Sequence, residues 1–155
     1  MEVIIIISIV LGIIIGTSFV FDLFYDRIPN MIISIGFLFW FPCIYISRGF
    51  SGIISSICSI IIIGTFLFIL YLLRGIGAGD VKLMSLIVSF LPLNDGIKLI
   101  ILIFFIGAFF GVIKLLWVLL YRKSDRNVDF KIISIKFSGP ILVGYLFMLL
   151  IKGGF

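Results

Sequence analysis

The chain contains no histidine, only two cysteines and only seven acidic residues among 155. Without histidine, a Ser-His-Asp or Cys-His centre is excluded, and so is an imidazole-ligated metal. Cys43 and Cys58 stand alone inside apolar runs, so there is no CxxC zinc or redox pair. They read as packed thiols, and nothing in their placement favours a disulfide. The glycines fit neither the GxxxxGK[ST] nor the GxGxxG spacing, which removes a phosphate-cradling loop. No cofactor and no metal is expected. Charge of either sign is scarce: 12% of residues are charged and 63% are hydrophobic. At a mean hydropathy of +1.45, there is too little polar surface to coat a soluble domain.

Long apolar runs are what the chain has instead. Several approach the roughly 20 residues that a helix needs to cross a bilayer. A closed β-barrel would require polar and apolar residues to alternate, and runs such as 3–7 (Val-Ile-Ile-Ile-Ile) and 60–63 (all Ile) do not. β-Branched residues are weak helix formers in water, but in lipid an unpaired backbone group costs several kcal/mol and the helix prevails. The expected fold is all-α: a polytopic membrane protein of about six transmembrane helices, forming a single domain over residues 1–155. The formal net charge of +5 does not point to nucleic acid, because the basic residues cluster at segment ends and membrane topology accounts for them.

The first span is expected over residues 3–21. It is too long for a signal-peptide core, and it has neither a basic leader nor a small-x-small cleavage site before Asp22. Gly12 and Gly16 form a GxxxG pair that would allow a second helix to approach. Ile28-Pro29-Asn30 ends the first polar connection and restarts the chain as helix. The second span is expected over 31–47, with Pro42 as a kink site. A turn is expected over 48–52 and a third span over 53–73. A short apolar segment over 81–93 is read as a short true span rather than a re-entrant loop. Residues 92–96 (Pro-Leu-Asn-Asp-Gly) carry a turn signal. A fifth span is expected over 97–121, with Lys114 snorkelling towards its end. Residues 128–136 are expected to lie along the membrane surface, and a last span to cover 137–151.

With six spans, the connections after spans one, three and five share one side. They hold Arg27, Arg74, Lys82, Arg122, Lys123, Arg126, Lys131 and Lys136, which is eight of the twelve basic residues. The positive-inside rule places that side in the cytoplasm and the N-terminus outside. Two spans separate Asp22 from Asp80, so these carboxylates share a face whether or not the short segment crosses.

Asp22 and Asp80 are the candidate functional pair. An ionisable residue beside hydrocarbon is costly and marks a functional site by default. Two carboxylates at one depth can share a proton, because the second must ionise against the charge of the first. Such a pair divides the work of amide hydrolysis: the ionised member activates water, and the protonated member donates to the carbonyl oxygen and later to the leaving nitrogen. Gly75, Gly77 and Gly79 would supply positive φ or close backbone approach, so that an extended substrate segment can pair beside them. Lys82 is placed to hold a carboxylate or a lipid headgroup. Simpler roles compete. Asp80 would serve as the N-cap of a helix starting at Val81, Asp22 and Asp26 as interfacial acids beside Arg27, and Gly75 with Gly79 as a helix-packing pair. Physical chemistry alone leaves Asp26 as a rival to Asp22.

Gly77-Ala78-Gly79-Asp80-Val81-Lys82-Leu83 resembles the GxGD motif of the type IV prepilin peptidases, which are membrane aspartyl proteases. In that family the first catalytic aspartate ends an early span six residues before an Ile-Pro-Asn element. The resemblance therefore selects Asp22, ahead of Ile28-Pro29-Asn30, over Asp26. Gly139-Pro140 with Gly144 is similar to a feature near that family's C-terminus. The resemblance implies Asp22 and Asp80 as catalytic residues, with Gly77, Gly79, Lys82, Pro29 and Asn30 supporting the motifs. It also implies a prepilin-like protein substrate cut after a basic leader at the cytoplasmic face of a bacterial cytoplasmic membrane, with membrane lipid as the surrounding partner. Larger members carry an additional N-terminal region, often with paired CxxC motifs, that is associated with N-methylation. Neither is present in this sequence, which resembles the short tight-adherence (Flp) form, and methyltransferase activity is not expected. Two other classes remain as alternatives: a small ion- or proton-coupled transporter using the same acids, and a non-catalytic subunit of a secretion assembly. Few polar residues beyond Ser and Thr lie deep in the spans, which disfavours the transporter.

Overall fold

A computed structural model describes residues 2–121 and 137–152, and these are entirely helical apart from short connections. Five helices are present among the described residues: α1 (Glu2–Tyr25), α2 (Asn30–Leu72), α3 (Ala78–Ser89), α4 (Leu93–Tyr121) and α5 (Ser138–Lys152). Three of them, α1, α2 and α4, are long and apolar enough to cross a membrane. The surface-lying segment expected at 128–136 falls outside the described residues.

The second and third expected spans form one hydrogen-bonded run of 43 residues with a break inside it. A straight helix of that length would reach about 65 Å, about twice the hydrocarbon thickness. The expected five-residue turn at 48–52 is instead compressed into Gly49, at φ 66° and ψ −160°. That region of conformational space is open essentially only to glycine. The two arms fold back on each other. Gly36 in the first arm lies against the Leu86 side chain, and Gly64 in the second against Ser85 Oγ. In a straight helix these glycines would stand about 42 Å apart, yet they flank neighbouring residues of α3. Close approach explains Gly36, since a methyl group there would overlap Leu86.

Helix α3 is the centre of the fold. Leu83, Met84, Leu86, Ile87 and Val88 are all fully buried, while residues on the flanks of α1, α2 and α4 face outward with exposed Ile, Leu and Phe. That inversion, apolar surfaces outside a well-packed apolar core, suits lipid as the surrounding medium. At 12 residues, α3 covers about 18 Å and is too short to cross a bilayer alone. Its far end is fixed by the Trp40 indole N–H, which donates to the Ser89 carbonyl at 2.9 Å. The expected turn at 92–96 is in fact the start of α4: the amides of Asp95 and Gly96 both donate to the Pro92 carbonyl. Gly96 is needed there because its Cα faces Val88 and Ile63 at close range. At this end, Asp95 lies within 3.9 Å of Lys98 and interacts with Arg48.

Helix α5 runs antiparallel to α1. The Tyr145 hydroxyl, on a nearly fully buried side chain, donates to the Ser8 carbonyl at 2.6 Å. The GxxxG expectation is not realised. A methyl group on Gly12 would make ordinary contact with the Tyr145 ring at 3.9 Å, and one on Gly16 would have nothing within 4 Å. Close helix contact occurs instead between α4 and α5, at Gly144 against Ile103 and Gly107 against the Phe137 ring. Both cysteines are free thiols, and Cys58 is exposed on the outer surface rather than packed inside.

Candidate active site

Both ends of the folded-back α2 lie at one mouth of the bundle, together with the end of α1 and the starts of α3 and α5. The Lys82 ammonium donates to the Asn30 side-chain carbonyl at 2.9 Å, tying the Ile-Pro-Asn element to α3. Pro29 is the N-cap of α2, with φ −63° and ψ 130°, so its ring sets the angle at which the chain re-enters helix. A methyl group on Gly79 would come within 3.2 Å of Ile28 Cβ. Gly79 is therefore required so that the first connection can sit on the start of α3.

The glycine stretch is built differently from expectation. Among the described glycines only Gly49 has positive φ, so Gly75, Gly77 and Gly79 serve close approach and not left-handed backbone. The left-handed residue is Arg74, at φ 58°. It terminates α2 through paired bonds, Arg74 N–H to Tyr71 O and Gly75 N–H to Leu70 O, both at 2.9 Å. This is a Schellman ending with an arginine where glycine is usual.

Asp80 is not the N-cap of α3; Gly77 is. Asp80 lies three residues on, and its carboxylate turns back to accept the Gly77 amide, half of a capping box. The same carboxylate also accepts the Phe137 amide at the start of α5. It therefore satisfies orphan donors at two helix N-termini. Gly77 leaves room for this, because a methyl there would stand 3.1 Å from Asp80 Oδ2.

Asp22 comes from the last turn of α1. Like Asp80 it is only 9% exposed. The Ser138 hydroxyl, on the first residue of α5, donates to Asp22 Oδ2 at 2.5 Å, and Ser138 is itself buried. Asp22 and Asp80 are near enough to interact. Asp80 stands ahead of the apolar part of α3, outside the candidate spans, and its carboxyl is raised to about 7, first by burial and then by the charge of Asp22, against the opposing amide bonds. Asp26 behaves otherwise. It is exposed, adopts φ 54° and follows the last turn of α1, its amide donating to the Asp22 carbonyl. Aspartate tolerates that conformation, and the position makes Asp26 a helix terminator.

The structure thus gathers Asp22, Asp80, Gly77, Gly79, Lys82, Pro29 and Asn30 at one mouth, with Asp22 and Asp80 as its buried acids. Two participants were not evident from sequence. Ser138 is 116 positions from Asp22, and nothing in the sequence pairs the two. Lys114, expected to snorkel, lines a cavity that also reaches Asp22 and Ser138. No grouping of three or more acidic or cysteine side chains suited to a metal is found among the described residues.

No curated protein and no solved structure matches the chain. A family model does, the type IV leader peptidase family, over residues 5–116. That range takes in Asp22, the Ile-Pro-Asn element and the Gly77–Asp80 motif, and stops short of α5. With well over half of the sequence matched, and both aspartate motifs within the match, the chain belongs to the type IV leader peptidase family.

Proposed function

We propose that this protein is a membrane aspartic endopeptidase that removes the leader of a prepilin-like protein at the cytoplasmic membrane face. The observation that carries the proposal is the burial of Asp22 and Asp80 at one mouth, close enough for the charge of one to oppose ionisation of the other. Sharing a single proton is what general acid/base hydrolysis by two carboxylates requires.

The roles follow from the surroundings of each acid. Asp22 accepts the Ser138 hydroxyl, which orients its carboxylate, and acts as the base. Asp80, raised to about 7, holds the proton and acts as the acid. Asp22 takes a proton from water as its oxygen attacks the scissile carbonyl carbon, while Asp80 gives its proton to the carbonyl oxygen. In the collapse of the resulting diol, the C–N bond breaks and Asp22 passes its proton to the leaving nitrogen. The diol returns a proton to Asp80, so both carboxyls end as they began. Arg27, Arg74 and Lys82 flank the same mouth, and the positive-inside rule favours the cytoplasm for that side, which puts the N-terminus outside.

The test is co-expression with a candidate prepilin, following leader loss by gel shift. Wild type and Asp26→Ala should process it, and Asp22→Ala and Asp80→Ala should not, all four inserting equally. Processing by both of the latter variants would overturn the proposal.

A further inference from the structure

The start of α5 meets both acids at once. The Phe137 amide donates to the Asp80 carboxylate, and the next residue's hydroxyl, Ser138 Oγ, donates to Asp22 Oδ2 at 2.5 Å. Two consecutive buried residues therefore tie a carboxylate of α1 to one of α3. The local sequence allows this. The Phe137 carbonyl accepts the first bond of α5, from the Ile141 amide at 2.9 Å, but its side chain has no polar atom with which to cap the helix. Pro140, at the third helical position, has no amide that needs a cap. Ser138 stands one place inside the helix, and its hydroxyl turns to Asp22 instead of to its own backbone.

Helix α4, which carries neither acid, fixes Phe137. The Phe137 ring lies edge-on to Phe104 at a centroid distance of 5.7 Å. It fills the notch left by Gly107 one turn further along, where a methyl would come within 2.8 Å of the ring. Glycine weakens a helix interior relative to alanine, and the seated ring accounts for its presence in the middle of α4. We infer that Phe104 and Gly107, acting through Phe137, are positioning residues for the two acids. The ring in its notch sets where the Phe137 amide and the Ser138 hydroxyl stand, and these donors hold Asp80 and Asp22 in register. This role rests on the peptidase reading above, in which one proton and one water must be shared between the carboxyls.

The experiment compares Gly107→Ala, which presses on the ring, with Phe137→Leu, which under-fills the notch but keeps the amide. Gly144→Ala is the control, since it places a methyl 3.0 Å from Ile103 in the same α4–α5 contact, away from the acids. Leader loss from the candidate prepilin is followed in membranes from pH 4 to 9. Over the same range, the carboxyl infrared band that Asp80→Asn removes is titrated in detergent. In wild type, activity and the Asp80 proton should both be lost as pH passes through about 7. The Phe137 amide opposes the raising of Asp80, so withdrawing it favours the neutral form. Both transitions should therefore move to higher pH in each single variant, with processing at neutral pH slowed on the order of tenfold, about the value of one hydrogen bond to a charged group. The double variant, in which the methyl takes up the space the ring gave up, should lie closer to wild type than either single one. Gly144→Ala should keep both transitions in place. The other charges about the site are the same in every variant: Asp22 of α1, which acts on Asp80; Lys82 of α3, bonded to Asn30 of α2; Arg74, exposed at the end of α2; and Lys114 of α4, at the cavity beside Asp22. Among its described residues α5 carries only Lys152, at its far end.

Unmoved transitions in both single variants, or an equal shift in Gly144→Ala, would overturn the positioning role. Processing by wild type with the infrared transition unmoved in both removes the positioning and keeps the peptidase. Shifted infrared transitions in a protein whose wild type processes nothing remove the peptidase and keep the positioning of the acids.

Discussion

Replacing Asp80 by asparagine should abolish processing and at the same time stabilise the fold above neutral pH. The structure sets the size of the second effect. In the folded chain the Asp80 carboxyl titrates at about 7, against 3.8 for an ordinary aspartate, mainly because it is buried and secondarily because Asp22 is near. That difference corresponds to about 4 kcal/mol against the charged form, and water at the open mouth reduces the expected figure to roughly 2–4 kcal/mol. Its sign is fixed by linkage. A carboxyl whose folded pKa is raised stabilises the fold fully below about 4, and this contribution is lost as pH rises to about 7. Asparagine keeps a carbonyl oxygen for the Gly77 or Phe137 amide but carries no charge. Unfolding in a fixed detergent from pH 4 to 9 should therefore show wild type losing stability between about 4 and 7 relative to Asp80→Asn, with a constant gap above. Parallel curves for the two proteins would refute the burial and coupling argued for Asp80.

Other substitutions probe the remaining contacts. Ser138→Ala removes the hydroxyl donor to Asp22 and should lower the processing rate by about 10- to 100-fold, the usual value of a hydrogen bond to a charged group; Ser138→Thr should restore most of it, and leader loss over time in membranes measures both. Gly49→Ala forces a side chain into backbone space that only glycine occupies, so it should cost about 1–3 kcal/mol in detergent unfolding without altering the Asp22–Asp80 pair. Gly79→Ala drives a methyl against Ile28 and should cost about 1–3 kcal/mol. Adding Ile28→Ala should recover part of that loss, whereas strictly additive losses would show that the two residues do not press on each other.

Helical class, membrane residence and the candidacy of Asp22 and Asp80 were legible along the chain, because each depends on local features, while the choice of Asp22 over Asp26 came only with the family resemblance. Hydropathy over about 20 residues decides whether lipid or water surrounds a segment, and Asp22 and Asp80 stand out because carboxylates at the ends of apolar runs are rare. The shared face of these acids was legible too, since the number of intervening spans fixes it. Tertiary structure decided what sits against what. Nothing local shows that Ser138 meets Asp22, that Asp80 bridges the starts of α3 and α5, or that Lys114 lines the cavity beside Asp22, since these pairs are brought together only by packing. Backbone detail was likewise hidden. The glycine-rich stretch suggested left-handed backbone, but packing against Ile28 and the Asp80 carboxylate is what requires glycine there, and the left-handed turn falls on Arg74. The break between the two arms of α2 narrowed to Gly49, a backbone detail that hydropathy does not reveal. Sequence thus determined the medium and the chemistry available; three-dimensional packing determined the partners of each carboxylate.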